Sequence, residues 1–148
     1  MTFVQTMLPK AGARLFTVQH TAPLIEAAQL LIDKDISLIV VCSGAGLIRG
    51  VVTKSDVVRQ ITRCHGRSCT TPLSEVMTED VVTCHPGQEL HDVWLLMKAK
   101  RLKHIPVVNY ASVPLGLLLA REVLEVLMNE AQYEDLLLRD YVMGIGYH

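Results

Sequence analysis

Gly50-Val51-Val52-Thr53-Lys54-Ser55-Asp56-Val57-Val58 decides the fold, because its pattern returns at Gly116-Leu117-Leu118-Leu119-Ala120-Arg121-Glu122-Val123-Leu124. At the same offset of 66 positions Thr17 falls on Thr83, Leu24 on Leu90, Lys34 on Lys100, Ile39 on Ile105 and Val41 on Val107. The acids Glu26 and Asp92, and Asp56 and Glu122, match in kind. No gap is needed between Leu15 and Ile61. A chain that repeats itself is read as two copies of one supersecondary unit.

Each copy has the same order of patterns. A short extended piece (Leu15–Val18, Val81–Cys84) ends in a proline-bearing break, Thr21-Ala22-Pro23 or His85-Pro86-Gly87. Proline and glycine there favour a turn and a helix start. Leu24, Ala27, Ala28 and Leu31 then lie at helical spacing, as do Leu90, Val93, Trp94 and Met97, giving each helix one apolar face. The runs Leu38–Val41 and Ile105–Val108 are continuously apolar and rich in β-branched residues, as suits strands covered on both sides. A polar turn leads to a second strand, Leu47–Thr53 or Pro114–Leu119, and a closing helix follows, Lys54–Thr62 or Arg121–Asn129. The unit is β-α-β-β-α. One copy is too small to cover its own sheet, so two copies are expected to pack around a shared core in an α+β fold.

The expected organisation is repeat 1 over 4–62, a linker over 63–72, repeat 2 over 73–129, and a tail over 130–148 that is helical in part. Leu73-Ser74-Glu75-Val76-Met77 leads into the second repeat, and Val4-Gln5-Thr6-Met7 is its partner ahead of the first. The stretch from Met7 to Thr17 is longer than that from Met77 to Thr83, so repeat 1 carries extra residues there.

Composition narrows the function. Of 148 residues, 50% are hydrophobic and 20% charged, a globular balance that argues against disorder. The positive mean hydropathy points to spare apolar surface, such as a homodimer interface. A net charge of −1 without a basic tract argues against nucleic acid. No apolar run approaches the roughly 20 residues that span a membrane, and the N-terminus lacks a secretory pattern; a cytoplasmic location is expected. Cys42 and Cys84 read as small packed hydrophobes. Cys64 and Cys69 flank His65 at a spacing that matches no common zinc pattern, and no metal is expected. No nucleophile elbow, paired-histidine zinc helix or phosphate-binding loop is present, so an enzyme is not expected.

The stretch Gly50–Val58 is similar to the CBS-domain pattern of glycine, two apolar residues, threonine, two variable residues and aspartate. His104-Ile105-Pro106-Val107-Val108 and Val76-Met77-Thr78 also resemble that family. Over residues 4–129 the chain therefore resembles a tandem CBS-domain pair, or Bateman module, here with nothing attached. The resemblance implies repeats paired about a pseudo-two-fold axis, clefts between them that take adenine-containing ligands, and regulation through a dimer or a further protein partner.

Carried onto this sequence, the resemblance implies a cleft in which Asp56 accepts from ribose hydroxyls. Thr53, Ser55 and the free N–H groups of a helix start suit phosphate. Lys103 and His104 face them, and Val82 and Thr83 border the base. A second, weaker cleft would use Thr17, Ser37 and Glu122, with Leu119 in place of the threonine. The expected ligand is an adenine nucleotide (AMP, ADP or ATP), with no cofactor required. A plainer reading makes Thr53 a helix cap and Asp56 an acid favoured by the helix dipole. The alternative function is a structural or protein-interaction module, a dimerisation unit with degenerate, ligand-free clefts.

Overall fold

The computed structural model describes residues 1–64 and 70–131. The Cys64–Cys69 stretch, but for the backbone of Cys64, and the tail beyond 131 lie outside the described residues. In chain order the elements are α1 (Leu8–Ala13), β1 (Thr17–Gln19), α2 (Leu24–Asp33), β2 (Leu38–Cys42), β3 (Ile48–Thr53), α3 (Lys54–Cys64), α4 (Leu90–Lys100), β4 (His104–Val108), β5 (Pro114–Leu119) and α5 (120–131). Single 3-10 turns at Val4–Met7 and Leu73–Glu75 open the two repeats.

One sheet has the order β1-β2-β3, with β1 parallel and β3 antiparallel to β2. The other pairs β4 and β5 antiparallel. Each antiparallel pair is irregular at the same place, between Val41 and Cys42 and between Val107 and Val108, so the repeat extends to a bulge. Of the extended piece expected at Val81–Cys84, only Cys84 pairs, bridging Val107. The N–H of Val81 instead turns back to the carbonyl of Glu79 at 3.0 Å. In both repeats the helix ends on a left-handed residue, Asp35 (φ 49°) and Arg101 (φ 55°).

Period-two alternation explains why both faces of the strands are apolar. Ile39, Val41 and Val52 turn to Leu24, Ala27 and Leu31 of α2. Ile105, Val107 and Leu118 turn to Leu90, Val93 and Met97 of α4. The opposite face of the first sheet, Leu38, Val40, Cys42 and Val51, meets Leu117 of β5. The repeats thus pack sheet against sheet as a pseudo-two-fold pair. Cys42 and Cys84 are buried free thiols, and burial pushes Cys84 up to about 12, so both serve as packing groups.

The lead-in segments are exchanged between the halves. Val4 and Met7 are buried with the helix and strands of the second repeat, whereas Leu73 and Met77 are buried with those of the first. The backbone repeats the exchange. The first N–H of α2, at Leu24, donates to Thr71 at 2.8 Å, and that of α4, at Leu90, donates to Thr2 at 2.8 Å. These donors would otherwise be orphans of a helix start. Thr78 continues the exchange by pairing both ways with Val51 on the free edge of β3. At the matching place in the other half, the extra residues of repeat 1 form α1, which packs on β5 next to Gly116.

Candidate functional site

The turn from β3 into α3 is built by Thr53 and Asp56. The backbone N–H of Thr53 donates to Asp56 Oδ2 at 2.9 Å and its hydroxyl does so at 3.1 Å, while the Asp56 N–H donates to Thr53 Oγ1 at 3.3 Å. This is the reciprocal arrangement of a capping box. The other carboxylate oxygen, Oδ1, receives Thr78 Oγ1 and Arg59 Nη1, each at 3.3 Å. Asp56 is 5% exposed, and both its oxygens are engaged within the protein. Ser55 is exposed one residue earlier.

Glu122 holds the matching position on α5 and is equally buried, but its partners differ. Expected in the second, weaker cleft, Glu122 has a carboxylate that pairs with Lys10 Nζ at 2.8 Å and with Arg14 Nε. Both cations arrive with the extra residues that form or follow α1. Burial pushes the Glu122 pKa up, but the hydrogen bonds and charges of Lys10 and Arg14 outweigh it and hold the group below its ordinary range. A carboxylate depressed in the folded state stabilises fully above its unfolded value, 4.5, and loses that contribution as pH falls through the folded value. Thermal melts of the wild type and Glu122→Gln are therefore expected to lie furthest apart near neutrality, and to converge in acid.

A cavity of about 450 Å³ opens where the starts of β2 and β4 come together with the end of β5. Arg14, Ser37, Lys103, His104, Leu119 and Arg121 line it, and Asp35 is the acid on its wall. Ser37 and Lys103 are equivalent positions in the two repeats. They were expected in separate clefts, and they share this one. Thr53 and Asp56 are not among its lining residues, and nor are Val82, Thr83 and Thr17. Thr17 is exposed on β1, paired with Val40. Burial, and then the charges of Lys103 and Arg121, lower the His104 pKa, so near neutrality the ring is an uncharged donor and acceptor beside two cations. The volume falls within the range of about 300–1,000 Å³ typical of small-molecule sites.

A CBS-domain family model matches residues 12–63 and 73–129. The chain belongs to the CBS-domain family. Among solved structures, this CBS pair resembles the CBS-domain containing protein ATU1752 from Agrobacterium tumefaciens, with a TM-score of 0.72 and 26% identity over 84% of this chain and 98% of that one. It also shares its fold with the CBS domain pair of protein MJ0100, solved in complex with 5′-methylthioadenosine and S-adenosyl-L-methionine. There the TM-score is 0.73 and identity 22%, covering 88% of this chain and 98% of that one. The homoserine O-acetyltransferase of Methanocorpusculum labreanum is 31% identical over 102 residues, 69% of this chain. The CBS pair spans only 20% of the length of that enzyme.

Three cavity residues of the CBS pair escape repeat logic. Arg14 lies just ahead of the ungapped self-match that begins at Leu15. Arg121 aligns with Ser55 but puts a cation where that residue has a hydroxyl, and Asp35 aligns with Arg101 with the opposite charge. Among the described residues no helix is long and apolar enough to cross a membrane, and no cluster of three metal-ligating side chains occurs.

Proposed function

We propose that the chain is a non-catalytic, cytoplasmic regulatory module that takes an adenine nucleotide (AMP, ADP or ATP) between its repeats and works as a homodimer. The observation that carries this reading is the cavity at the junction of the repeats. Its polar groups, Ser37, Lys103 and His104, surround an apolar wall that includes Leu117 and Leu119. The wall suits a flat base, Asp35 suits ribose hydroxyls, and the cations suit phosphate. The adenosine ligands of the MJ0100 pair support the same class. Thr53, Ser55 and Asp56, with Val82 and Thr83, mark a secondary position, weakened because Asp56 already serves its own helix. A nucleotide regulates only by binding two states unequally, and a dimer supplies a second state.

A second reading, that of a dimerisation module, draws on exposed apolar side chains on the outer helices. Ile32 of α2 is 77% exposed, and Val58 and Ile61 of α3 are 61% and 60% exposed. One experiment weighs the two: thermal melts with AMP, ADP and ATP, with the mass recorded by light scattering. A nucleotide at ten times its Kd is expected to add about 1.4 kcal/mol, or about 3–6 °C, and Lys103→Ala to lose most of that shift. A dimeric mass with no shift from any nucleotide at millimolar concentration would reject the ligand reading and leave the dimerisation module.

A further inference from the structure

We propose that Arg14 is the specificity-determining residue of the cavity and selects a ligand that carries phosphate. The inference rests on the adenine-ligand reading and concerns which adenine compounds are admitted. Repeat 2 has no counterpart to the segment that carries Arg14. Residues 8–13 form α1, which is seated so closely on β5 that a side chain at Gly116 would meet the Ala11 backbone at 2.9 Å. That seat delivers Arg14 to a cavity already lined by Lys103 and Arg121. Among the described residues three permanent cations then face one acid, Asp35. Such a wall favours a multiply charged anion and opposes the sulfonium cation of S-adenosylmethionine, while an uncharged adenosine gains nothing from it.

The arrangement of Arg14 fits this role. Its Nε is ion-paired with Glu122, and the guanidinium carries five donors in all. The planar fork suits phosphate oxygens in pairs, and the anchoring acid fixes its direction. Glu122 also draws on the positive charge that a phosphate would otherwise meet in full. It therefore sets the strength of phosphate binding as well as the position of Arg14.

Isothermal titration of the full chain with ADP, adenosine and S-adenosylmethionine tests the proposal. The wild type is expected to bind ADP at least about tenfold more tightly than adenosine, and S-adenosylmethionine more weakly than either. Arg14→Ala should reduce ADP affinity by about tenfold and leave adenosine within about twofold. Glu122→Gln keeps the size of the side chain and removes its charge, and it should tighten ADP while leaving adenosine unchanged; this arm stands even if Arg14→Ala fails to fold. Equal affinities for ADP and adenosine, an equal loss of both in Arg14→Ala, or unchanged or weaker ADP binding in Glu122→Gln would overturn the role of Arg14 and leave the adenine reading intact. Binding of none of the three compounds would overturn both.

Discussion

Gly50→Val is expected to destabilise the protein by about 3 kcal/mol, lowering Tm by about 6–12 °C. A Cβ at Gly50 would lie 2.7 Å from the Thr78 carbonyl oxygen and 2.8 Å from Met77 Sδ. The methionine could turn aside, but the carbonyl could not. Thr78 accepts from the Val51 N–H at 3.0 Å and donates to the Val51 carbonyl at 2.8 Å, so moving it breaks the pair that holds the exchanged lead-in to β3. Met77 is also buried against the first repeat, and its displacement would open space behind it. Gly50→Ala should show about half the effect, since it adds the clashing atom without the branch. Gly44 is the control, because a Cβ there meets nothing within 4 Å, and Gly44→Ala is expected to melt within about 2 °C of wild type. Equal melting of the Gly50 and Gly44 variants would mean that the lead-in is not seated as described.

The matching glycines show what the sequence carries and what it withholds. Their alignment at Gly50 and Gly116 was readable, and it helped to place the strands, helices and repeat boundary. Their job was not, because the atoms that crowd them come from Thr78 and Ala11, which pattern alone assigns to the other repeat. An exchange of lead-ins depends on contacts distant in sequence, and apolar periodicity reports only which face is buried. The helix α1 was hidden for a related reason. Six residues containing Gly12 have little intrinsic helicity, and α1 is held by its packing on β5, with Lys10 and Arg14 tying its end to Glu122. Val81–Thr83 erred the other way: three residues of high β-propensity stay out of the sheet, since propensity yields to whatever backbone is available to pair.

The candidate site follows the same division. Lys103, His104 and Ser37 were legible because each lies at the start of the first long strand of its repeat, β4 or β2, where the resemblance puts ligand contacts. Arg14, Asp35 and Arg121 were not, because the cavity wall is assembled from separate segments. The repeat pattern names equivalent positions without saying which of them come to share a cavity. The pairing of Glu122 with Lys10 and Arg14 is the clearest case. Aspartate became glutamate at the family position, and the partners that make sense of the change lie in residues with no counterpart in repeat 2.

Asp56→Ala is the other large expected effect, and it bears on which role the family aspartate plays here. Removing the carboxylate frees the Thr53 N–H and hydroxyl from the capping box, at about 1–2 kcal/mol. It also releases Thr78, at about 1 kcal/mol. Arg59, 57% exposed, adds little, since exposed ion pairs contribute weakly. The sum is about 2–3 kcal/mol, or about 4–12 °C in Tm. Both β3 edge pairing and the start of α3 should loosen together, because Thr78 and Thr53 share this one carboxylate. Asp56→Asn keeps an acceptor and should recover part of the loss. ADP titration at a temperature where both variants are folded then separates fold from ligand. Affinity within about twofold of wild type places Asp56 in the architecture, holding the exchanged lead-in against the helix. A tenfold or greater loss in the folded Asn variant would instead make the carboxylate a direct ribose acceptor, and would return the main site to the Thr53 side of the pair.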